Sequence, residues 1–278
     1  MTKLEMDSVV SSARRLDDVG KRTLIMGIVN ITPDSFSDGG RYLSVSDAVG
    51  HASELAKAGA DIIDIGAEST RPGAVPLGVE EEWERLAPIL LHIREAVDIP
   101  LSIDTYKAEI ASRALACGVD IVNDVWGGLS DDRMYEIVAS YAAYYVLMHN
   151  GVGSAPIETD IVSYVGEWLQ RQSQAAMAAG IARDRIILDP GVGFGKTQAQ
   201  NLALLSRLDE IKAVGFPVLV GTSRKSFIGR VLDLPVEQRL EGTAATVAVA
   251  VTRGVDIVRV HDVEPMARIV RMTDAMVR

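Results

Sequence analysis

Short runs of apolar residues recur along the chain, and longer stretches with helical periodicity separate them. Because the runs are brief, rich in β-branched residues and bounded by polar or glycine positions, they predict buried β-strands. The eight predicted strands are Leu24–Val29, Ile62–Ile65, Leu101–Ile103, Ile121–Val122, Tyr144–Met148, Ile186–Leu188, Val218–Val220 and Ile257–Val260.

The stretches between the predicted strands carry apolar residues on one face, as amphipathic helices do. The clearest is Val79–Val97, which has three glutamates near its start, where the helix dipole favours negative charge. One face of it carries Trp83, Leu86, Leu90, Ile93 and Val97, and one side of the last helix carries Met266, Ile269, Val270 and Met276. Glycines end five of the stretches, as is typical of helix C-caps: Gly59, Gly118, Gly180, Gly215 and Gly254.

The regular alternation of strand and helix indicates a parallel sheet, since parallel strands need crossover connections and are covered by helices. Eight such repeats in about 250 residues favour one closed (β/α)8 barrel over an open, doubly wound sheet. We therefore predict a single barrel domain over residues 23–278. Residues 1–22 are predicted to form an N-terminal extension that adds a lid or an extra hairpin.

The 278-residue chain has a formal net charge of −10 and a pI near 4.9. Lysine and arginine form no run or stripe, which argues against a nucleic-acid partner. Cys117 is the single cysteine, so no disulfide can form within the chain. The sequence has no run of about 18 apolar residues and no apolar segment near its start, so we expect a soluble, cytoplasmic protein without a membrane partner.

Polar residues follow every predicted strand, whereas plain glycine turns lead into the strands. In (β/α)8 barrels the C-terminal strand ends meet at one face, and the active site lies there. The polar strand ends are therefore expected to converge on one large site. They comprise Asn30; Glu68, Ser69, Thr70 and Arg71; Asp104 and Thr105; Asn123 and Asp124; His149 and Asn150; Asp189; Ser223, Arg224, Lys225 and Ser226; Arg259 and His261.

Two carboxylates and an amide among these strand ends indicate what kind of group binds. Asp104, Asn123 and Asp189 directly follow apolar strands, so we expect them in a partly enclosed space, where an unpaired carboxylate is unfavourable. A flat heterocycle with amino and ring N–H groups would satisfy them, because ionised aspartate only accepts hydrogen bonds whereas asparagine also donates. The alternative, that each residue caps the following helix, accounts better for one residue than for all three.

A second group of candidate residues is cationic and consists of Arg71, Lys225, Arg259 and His261. In an acidic protein, bases that converge at one barrel mouth indicate a phosphorylated or otherwise anionic ligand, which arginine can bind through two parallel hydrogen bonds. The alternative is that these residues are surface charges paired with Glu68 or Asp262.

The glycine-rich segment Gly191–Gly195 follows Asp189 and nearly matches a phosphate-binding loop. The match fails because Pro190 stands where the first glycine is required, and Lys196 prevents a match to the dinucleotide-binding pattern. We expect instead that the glycines let the backbone lie close to a ligand and that Phe194 packs on the ligand's face.

Eight segments resemble, in order and spacing, the signatures of dihydropteroate synthases: GIVNITPDSFSDGG, DIGAESTRPGA, SIDTYKAE, IVNDVWGG, LMHN, ILDPGVGFGK, GTSRKSFIG and VRVHDV. The resemblance runs from about Thr23 to the C-terminus. It implies a pterin-binding (β/α)8 barrel, usually a homodimer, which condenses 7,8-dihydropterin-6-ylmethyl diphosphate with 4-aminobenzoate in folate biosynthesis. It also implies pyrophosphate and 7,8-dihydropteroate as products, Mg²⁺ as cofactor and sulfonamides as competitors of 4-aminobenzoate.

By position, the resemblance also assigns roles to individual residues. The catalytic residues would be Asp104, Asp189, Lys225, Arg259 and His261. The pterin site would contain Asp104, Asn123, Met148, Asp189, Phe194, Gly221 and Lys225. The diphosphate would be bound by Asn30, Arg71, Arg259 and His261, with Asn30 also the metal-binding residue. The aminobenzoate pocket would contain Phe36, Thr70, Arg71, Pro72, Lys225 and Ser226.

Two other functions are compatible with parts of the sequence. A related pterin-barrel methyltransferase would have similar pterin carboxylates, but the STRPG and SRKS segments suit a benzoate and a diphosphate. A paralogue that binds pterin without turning it over is disfavoured by the complete set of strand-end residues. Trp126 is the main departure from the family pattern, since a smaller residue is expected there, and it could crowd the loop after the fourth strand.

Overall fold

The computed structural model describes residues 16–31, 45–68, 75–152 and 159–278. Its centre is a sheet of eight strands. In chain order, β1 to β8 are Leu24–Asn30, Ile62–Gly66, Leu101–Asp104, Ile121–Asp124, Tyr144–Met148, Ile186–Asp189, Leu219–Gly221 and Ile257–Val260. Around the sheet the order is β6-β5-β4-β3-β2-β1-β8-β7, and every paired neighbour is parallel.

The two remaining edges of the sheet, β6 and β7, also meet. A parallel bridge joins Leu188 to Val218, and Leu188 N donates to Pro217 O at 2.8 Å. The predicted (β/α)8 barrel is therefore confirmed. The seventh strand begins one residue later than predicted, because Val218 pairs with Leu188 as an isolated bridge ahead of the strand.

Helices connect the strands and surround the barrel. In the described part of the chain, α1 to α10 are Val45–Ala58, Val79–Ala96, Ala108–Ala116, Met134–Ser140, Ile161–Ala178, Gln198–Ser206, Leu208–Lys212, Ser226–Leu232, Leu240–Thr252 and Val263–Val277. Short 3-10 helices occupy Arg183–Arg185 and Val236–Gln238. Among the described residues, none of the helices has the length and apolar character needed to cross a membrane.

The helix faces largely follow the sequence pattern. Leu86, Leu90 and Ile93 of α2 are buried, as predicted. In α10, Met266 and Val270 are buried, whereas Met276 is 65% exposed in the last turn, beyond the last buried residue of the helix. The five predicted C-cap glycines all have positive φ, the conformation that this role requires: Gly59, Gly118, Gly180, Gly215 and Gly254.

The floor of the barrel interior is apolar. Inward-facing residues near the strand starts form a cluster of their own: Leu24, Met26, Ile62, Ile121, Tyr144, Val146, Ile187, Leu219 and Ile257. Leu16 joins this cluster, and its backbone N–H donates to Tyr144 Oη at 3.1 Å. Leu16, in the predicted N-terminal extension, thus packs at the end where the strands begin, while residues 1–15 lie outside the described residues.

Candidate active site

A polar layer lies above this apolar floor, at the C-terminal ends of the strands. Side chains alternate between the two faces of a strand, so residues two positions beyond the floor residues also face the barrel interior. The strand register then brings the predicted pterin residues together, because the Cα partners are Asp104 with Asn123, Met148 with Asp189, and Gly221 with Arg259.

Arg259 is the cation at the centre of this layer. Its Nε lies 2.6 Å from Asp64 Oδ2 and its terminal Nη2 lies 2.7 Å from Asp104 Oδ2. Asn123 Nδ2 donates to the same Asp64 oxygen at 3.2 Å. Residues from four strands are thereby held in one hydrogen-bonded group.

Sequence reasoning missed Asp64. The sequence contains a signal for it, because Asp64 is a carboxylate inside the apolar run Ile62–Ile65. In the structure its side chain is completely buried. A charged residue in the middle of a buried strand needs a partner, and that partner is Arg259. Only the fold shows that the two residues meet.

Asp104 lies in a strongly perturbed electrostatic environment. Burial raises the pKa of Asp104 to about 7, and the nearby Asp64 carboxylate acts in the same direction. Arg259 opposes both effects, because it favours the charged form. Asp104 is therefore a carboxylate whose charge depends on pH near neutrality.

Asp189 and Lys225 are the second group of opposite charges in the layer, and each affects the pKa of the other. Asp189 Oδ1 accepts from Gly191 N at 2.7 Å, and burial raises the pKa of Asp189 while Lys225 lowers it. Burial lowers the pKa of Lys225 to about 8, against the opposing charge of Asp189. Lys225 also donates to Val192 O.

Asp104, Asn123 and Asp189 do not cap the helices that follow them, so the helix-capping alternative fails for all three. The helices after Asp104, Asn123 and Asp189 are α3, α4 and α6, and their N-cap residues are Lys107, Arg133 and Thr197. Asp189 instead closes a turn through Gly191. The strand-end side chains are thus available to the barrel interior.

The Gly191–Gly195 segment packs differently from our expectation. Gly191 and Gly195 have positive φ, and a Cβ on Gly191 would lie 2.0 Å from His149 O. The glycines are therefore required by close contact with the chain after β5, and not only by a ligand. Lys196 stabilises this contact between the Gly191–Gly195 segment and the chain after β5. Its Nζ donates to the carbonyl oxygens of His149, Gly191 and Phe194 at 3.2, 2.9 and 3.1 Å.

Three further predicted residues lie at the barrel mouth. His261 follows β8, and its Nδ1 is 3.0 Å from Ser223 Oγ. Ser226 is exposed at the start of α8, and Asn30 is half-buried at the end of β1. Their proposed ligand contacts stay predictions.

Four predicted residues fall outside the described residues: Phe36, Thr70, Arg71 and Pro72. For Lys225 and Arg259, the observed contacts are not with Glu68 or Asp262, the partners that the alternative pairing names. Glu68 is bound by Lys107 at 2.5 Å, and Asp262 is bound by Arg224 at 2.5 Å. Arg259 instead points at the interior carboxylates.

The described part of the chain contains no group of three or more His, Cys, Asp and Glu residues placed to hold a metal ion. The amide oxygen of Asn30 at the mouth is a ligand of the type that Mg²⁺ accepts.

Comparison with known proteins identifies the family. The sequence profile described as "Pterin binding enzyme" matches residues 26–261. The chain belongs to the pterin-binding enzymes. Within this family, a Bacillus subtilis (strain 168) protein named dihydropteroate synthase is 48% identical over 256 residues, which cover 92% of this chain and 89% of that protein.

Solved structures of pterin-binding enzymes agree. A Clostridium difficile dihydropteroate synthase, crystallised in the presence of pteroic acid, has a TM-score of 0.90 and 48% identity, with 94% of this chain and 99% of that chain covered. A Xanthomonas albilineans dihydropteroate synthase with 4-aminobenzoic acid has a TM-score of 0.88 and 42% identity, with 92% and 94% covered.

These comparisons confirm three predictions, namely the resemblance to dihydropteroate synthases, the barrel fold and the dihydropteroate synthase function. They also decide between this function and the methyltransferase alternative.

Trp126 lies in the loop after β4, which it was expected to crowd. Its backbone N–H donates to Asp124 Oδ1 at 2.8 Å, and Gly128 N donates to Asp124 Oδ2, so Asp124 stabilises the turn. The individual site roles stay predictions.

Proposed function

We propose that the chain joins 7,8-dihydropterin-6-ylmethyl diphosphate to 4-aminobenzoate by means of a pterin pocket and a cationic mouth in one barrel. The observation that carries this assignment of roles is the layer in which Asp104, Asn123 and Asp189 lie with Arg259 and Lys225. A neutral heterocycle with several N–H groups and an anionic leaving group need these two kinds of side chain.

In this proposal the pterin lies against the strand ends. Asp104 and Asp189 accept hydrogen bonds from its amino and ring N–H groups, and Lys225 donates to its acceptor atoms. The amide nitrogen of Asn123 donates to Asp64, so we assign the amide oxygen of Asn123 to the ligand. Met148 and Phe194 contribute apolar surface for the ring faces, and Gly221 leaves space beside Arg259.

The reaction itself needs no protein nucleophile. The carbon–oxygen bond to the diphosphate breaks and its electron pair leaves with pyrophosphate, which gives a resonance-stabilised pterin methyl cation. The amine of 4-aminobenzoate then forms the new carbon–nitrogen bond and loses a proton. Arg259 and His261, together with Arg71, would stabilise the charge that develops on the leaving diphosphate.

The 4-aminobenzoate pocket is assigned to Lys225 and Ser226 on the mouth side. Phe36, Thr70, Arg71 and Pro72 complete it by family resemblance. Ser226 is exposed and follows Lys225 directly, which supports a binding surface open to a second substrate. Sulfonamides are expected to compete with 4-aminobenzoate at this place.

We also propose Mg²⁺ as the cofactor, with Asn30 as its protein ligand. When bound, Mg²⁺ would supply positive charge to the leaving diphosphate. The amide of Asn30 would orient the diphosphate end of the substrate toward Arg259 and His261. Omission of Mg²⁺ from the assay below tests this part separately.

A cytoplasmic homodimer is the proposed assembly. Exposed apolar side chains on three helices support an interface between two copies: Leu202 on α6, Val231 and Leu232 on α8, and Val249 on α9. These helices pack against one another, so the exposed residues belong to one side of the barrel. Light scattering of wild type and of Val249→Glu measures the mass, and a monomeric wild type would contradict the dimer.

The experiment that tests the function is pyrophosphate release from purified protein supplied with dihydropterin diphosphate and Mg²⁺, with and without 4-aminobenzoate. We expect release that requires 4-aminobenzoate and yields dihydropteroate. Arg259→Ala should weaken binding of the diphosphate substrate, whereas Arg253→Ala, which removes an exposed arginine at the end of α9, should not. Pterin binding without release would instead support a paralogue that has lost turnover.

A further inference from the structure

Asp64 lies in the middle of β2 and has no role in the assignments above. Its strand neighbours Ile63 and Ile65 face the apolar core between strands and helices, whereas Asp64 itself is completely buried inside the barrel. Its Oδ2 accepts from both Arg259 Nε and Asn123 Nδ2. Its other oxygen, Oδ1, is buried and has no hydrogen-bond partner among the described residues.

A second polar atom of this kind lies on the neighbouring strand. The Cα partner of Asp64 on β3 is Ser102, and within the described part of the chain Ser102 Oγ is also buried without a hydrogen-bond partner. Buried polar atoms without partners are unfavourable, and a buried ion pair can often be replaced by well-packed apolar residues without loss of stability. Stability alone therefore does not explain a carboxylate at this position.

Resting on the function proposed above, we propose that Asp64 is a positioning residue for pterin binding. Its Oδ2 fixes the guanidinium of Arg259 through Nε and the amide of Asn123 through Nδ2. As a result, Arg259 Nη2 meets Asp104, and the amide oxygen of Asn123 is turned to the ligand. Asp64 itself does not contact the reacting atoms.

Asp64 also affects the charge of the ligand-binding carboxylate. The charged groups that face Asp104 are Arg259 on β8, Asp64 on β2, Glu82 on α2, Asp124 on β4 and Lys225 before α8. Arg259 lowers the pKa of Asp104, whereas Asp64 raises it. Removal of the charge at Asp64 therefore lowers the pKa of Asp104, so that its carboxylate persists to lower pH.

The test compares three variants with wild type by calorimetric binding of dihydropterin diphosphate with Mg²⁺ and by kcat/KM as a function of pH. Asp64→Asn keeps the shape and an oxygen for Arg259 but removes the charge. We expect it to weaken binding by roughly tenfold and to move the acid limb of the kcat/KM profile to lower pH. Asp64→Ala should weaken binding by about 30-fold or more.

Asp64→Glu retains the charge, so its acid limb should stay in place although the longer side chain weakens binding. Asp184→Asn is the matched control, because it removes an exposed carboxylate at the far end of the barrel, before β6. Unchanged affinity and pH profile in folded Asp64→Asn would overturn the positioning role. Equal losses in all three variants with an unmoved acid limb would overturn it as well, since local damage to the barrel gives that result.

The same experiment separates this inference from the proposed function. If wild-type protein released no pyrophosphate in the presence of 4-aminobenzoate, the function would fail. The calorimetric affinities of the Asp64 variants would still decide whether Asp64 positions the pterin-binding residues.

Discussion

Lys225 Nζ lies 4.6 Å from the centroid of the Phe194 ring and also donates to Val192 O. The Gly191–Gly195 segment thus contacts this ammonium group, and the Asp189 carboxylate favours its charged form. A cation over an aromatic face is attracted by the ring's negative face. Lys225 and Phe194, which the sequence places on different segments of the predicted pterin site, are therefore in direct contact.

Lys225→Ala should remove most of the activity. The substitution removes the cation with the largest effect on the buried Asp189, so that only Lys196 and Arg259 still act on it, and it removes the proposed donor to both substrates. We expect kcat/KM for each substrate to fall by about 30-fold or more, because a buried cation and the proposed donor to both substrates are lost together. Lys57→Ala, an exposed lysine on α1, is the matched control. Near-normal turnover by folded Lys225→Ala would refute the assigned role.

The pH dependence of kcat/KM for dihydropterin diphosphate should be bell-shaped, with its maximum between about pH 7 and about pH 8. The Asp104 carboxylate, which accepts the ligand's N–H groups, is lost as the pH falls through its raised pKa. The Lys225 charge is lost as the pH rises through its lowered pKa. An acid limb near the ordinary aspartate value of about 4 would contradict the role of burial.

Lys196→Met should loosen the segment that carries Phe194. The substitution removes a donor shared by three backbone carbonyls and leaves the side-chain length similar. We expect a loss of about 1–3 kcal/mol in the free energy of unfolding, together with weaker pterin binding. Denaturant unfolding and calorimetry measure the two effects, with Lys57→Met as the control. Unchanged values of both quantities would show that the glycine contacts alone hold the segment.

Local rules were sufficient to predict several parts of this site. Asp104, Asn123 and Asp189 could be found because each stands where a short apolar strand ends, and in a barrel that position decides which face a residue joins. The C-cap glycines were predictable for the same reason, since positive φ at a helix end is a local requirement.

The ion pairs of the site needed information that the sequence pattern does not contain. Arg259 and Asp64 are 195 residues apart, and they meet because β8 and β2 both pair with β1. The sequence showed a cation at a strand end and offered Glu68 or Asp262 as its alternative partners. Strand order and register decide that the partners of Arg259 are Asp64 and Asp104.

The buried charge network beside the barrel mouth is a second case of this kind. Lys107 donates to Glu68 at 2.5 Å and also to Glu82, which is almost fully buried. Tyr106 Oη donates to Glu68 at 2.6 Å, and Thr105 Oγ1 donates to Glu82 at 3.1 Å. Through this network Glu68, at the end of the described range 45–68, is bound to the chain after β3. Lys107 links it further to Glu82 on α2.

Lys107→Met should destabilise the protein by about 3–5 kcal/mol near pH 8, because it leaves the buried Glu82 and the partly buried Glu68 without their cation. Burial already raises the pKa of Glu82, and loss of Lys107 raises it further. The folded variant therefore binds protons more readily than the unfolded chain, so its defect should shrink as the pH falls toward 5. Urea unfolding at both pH values measures this, with Lys57→Met as the control. A loss that is below about 1 kcal/mol at pH 8 and does not depend on pH would mean that water or backbone groups satisfy both carboxylates without Lys107.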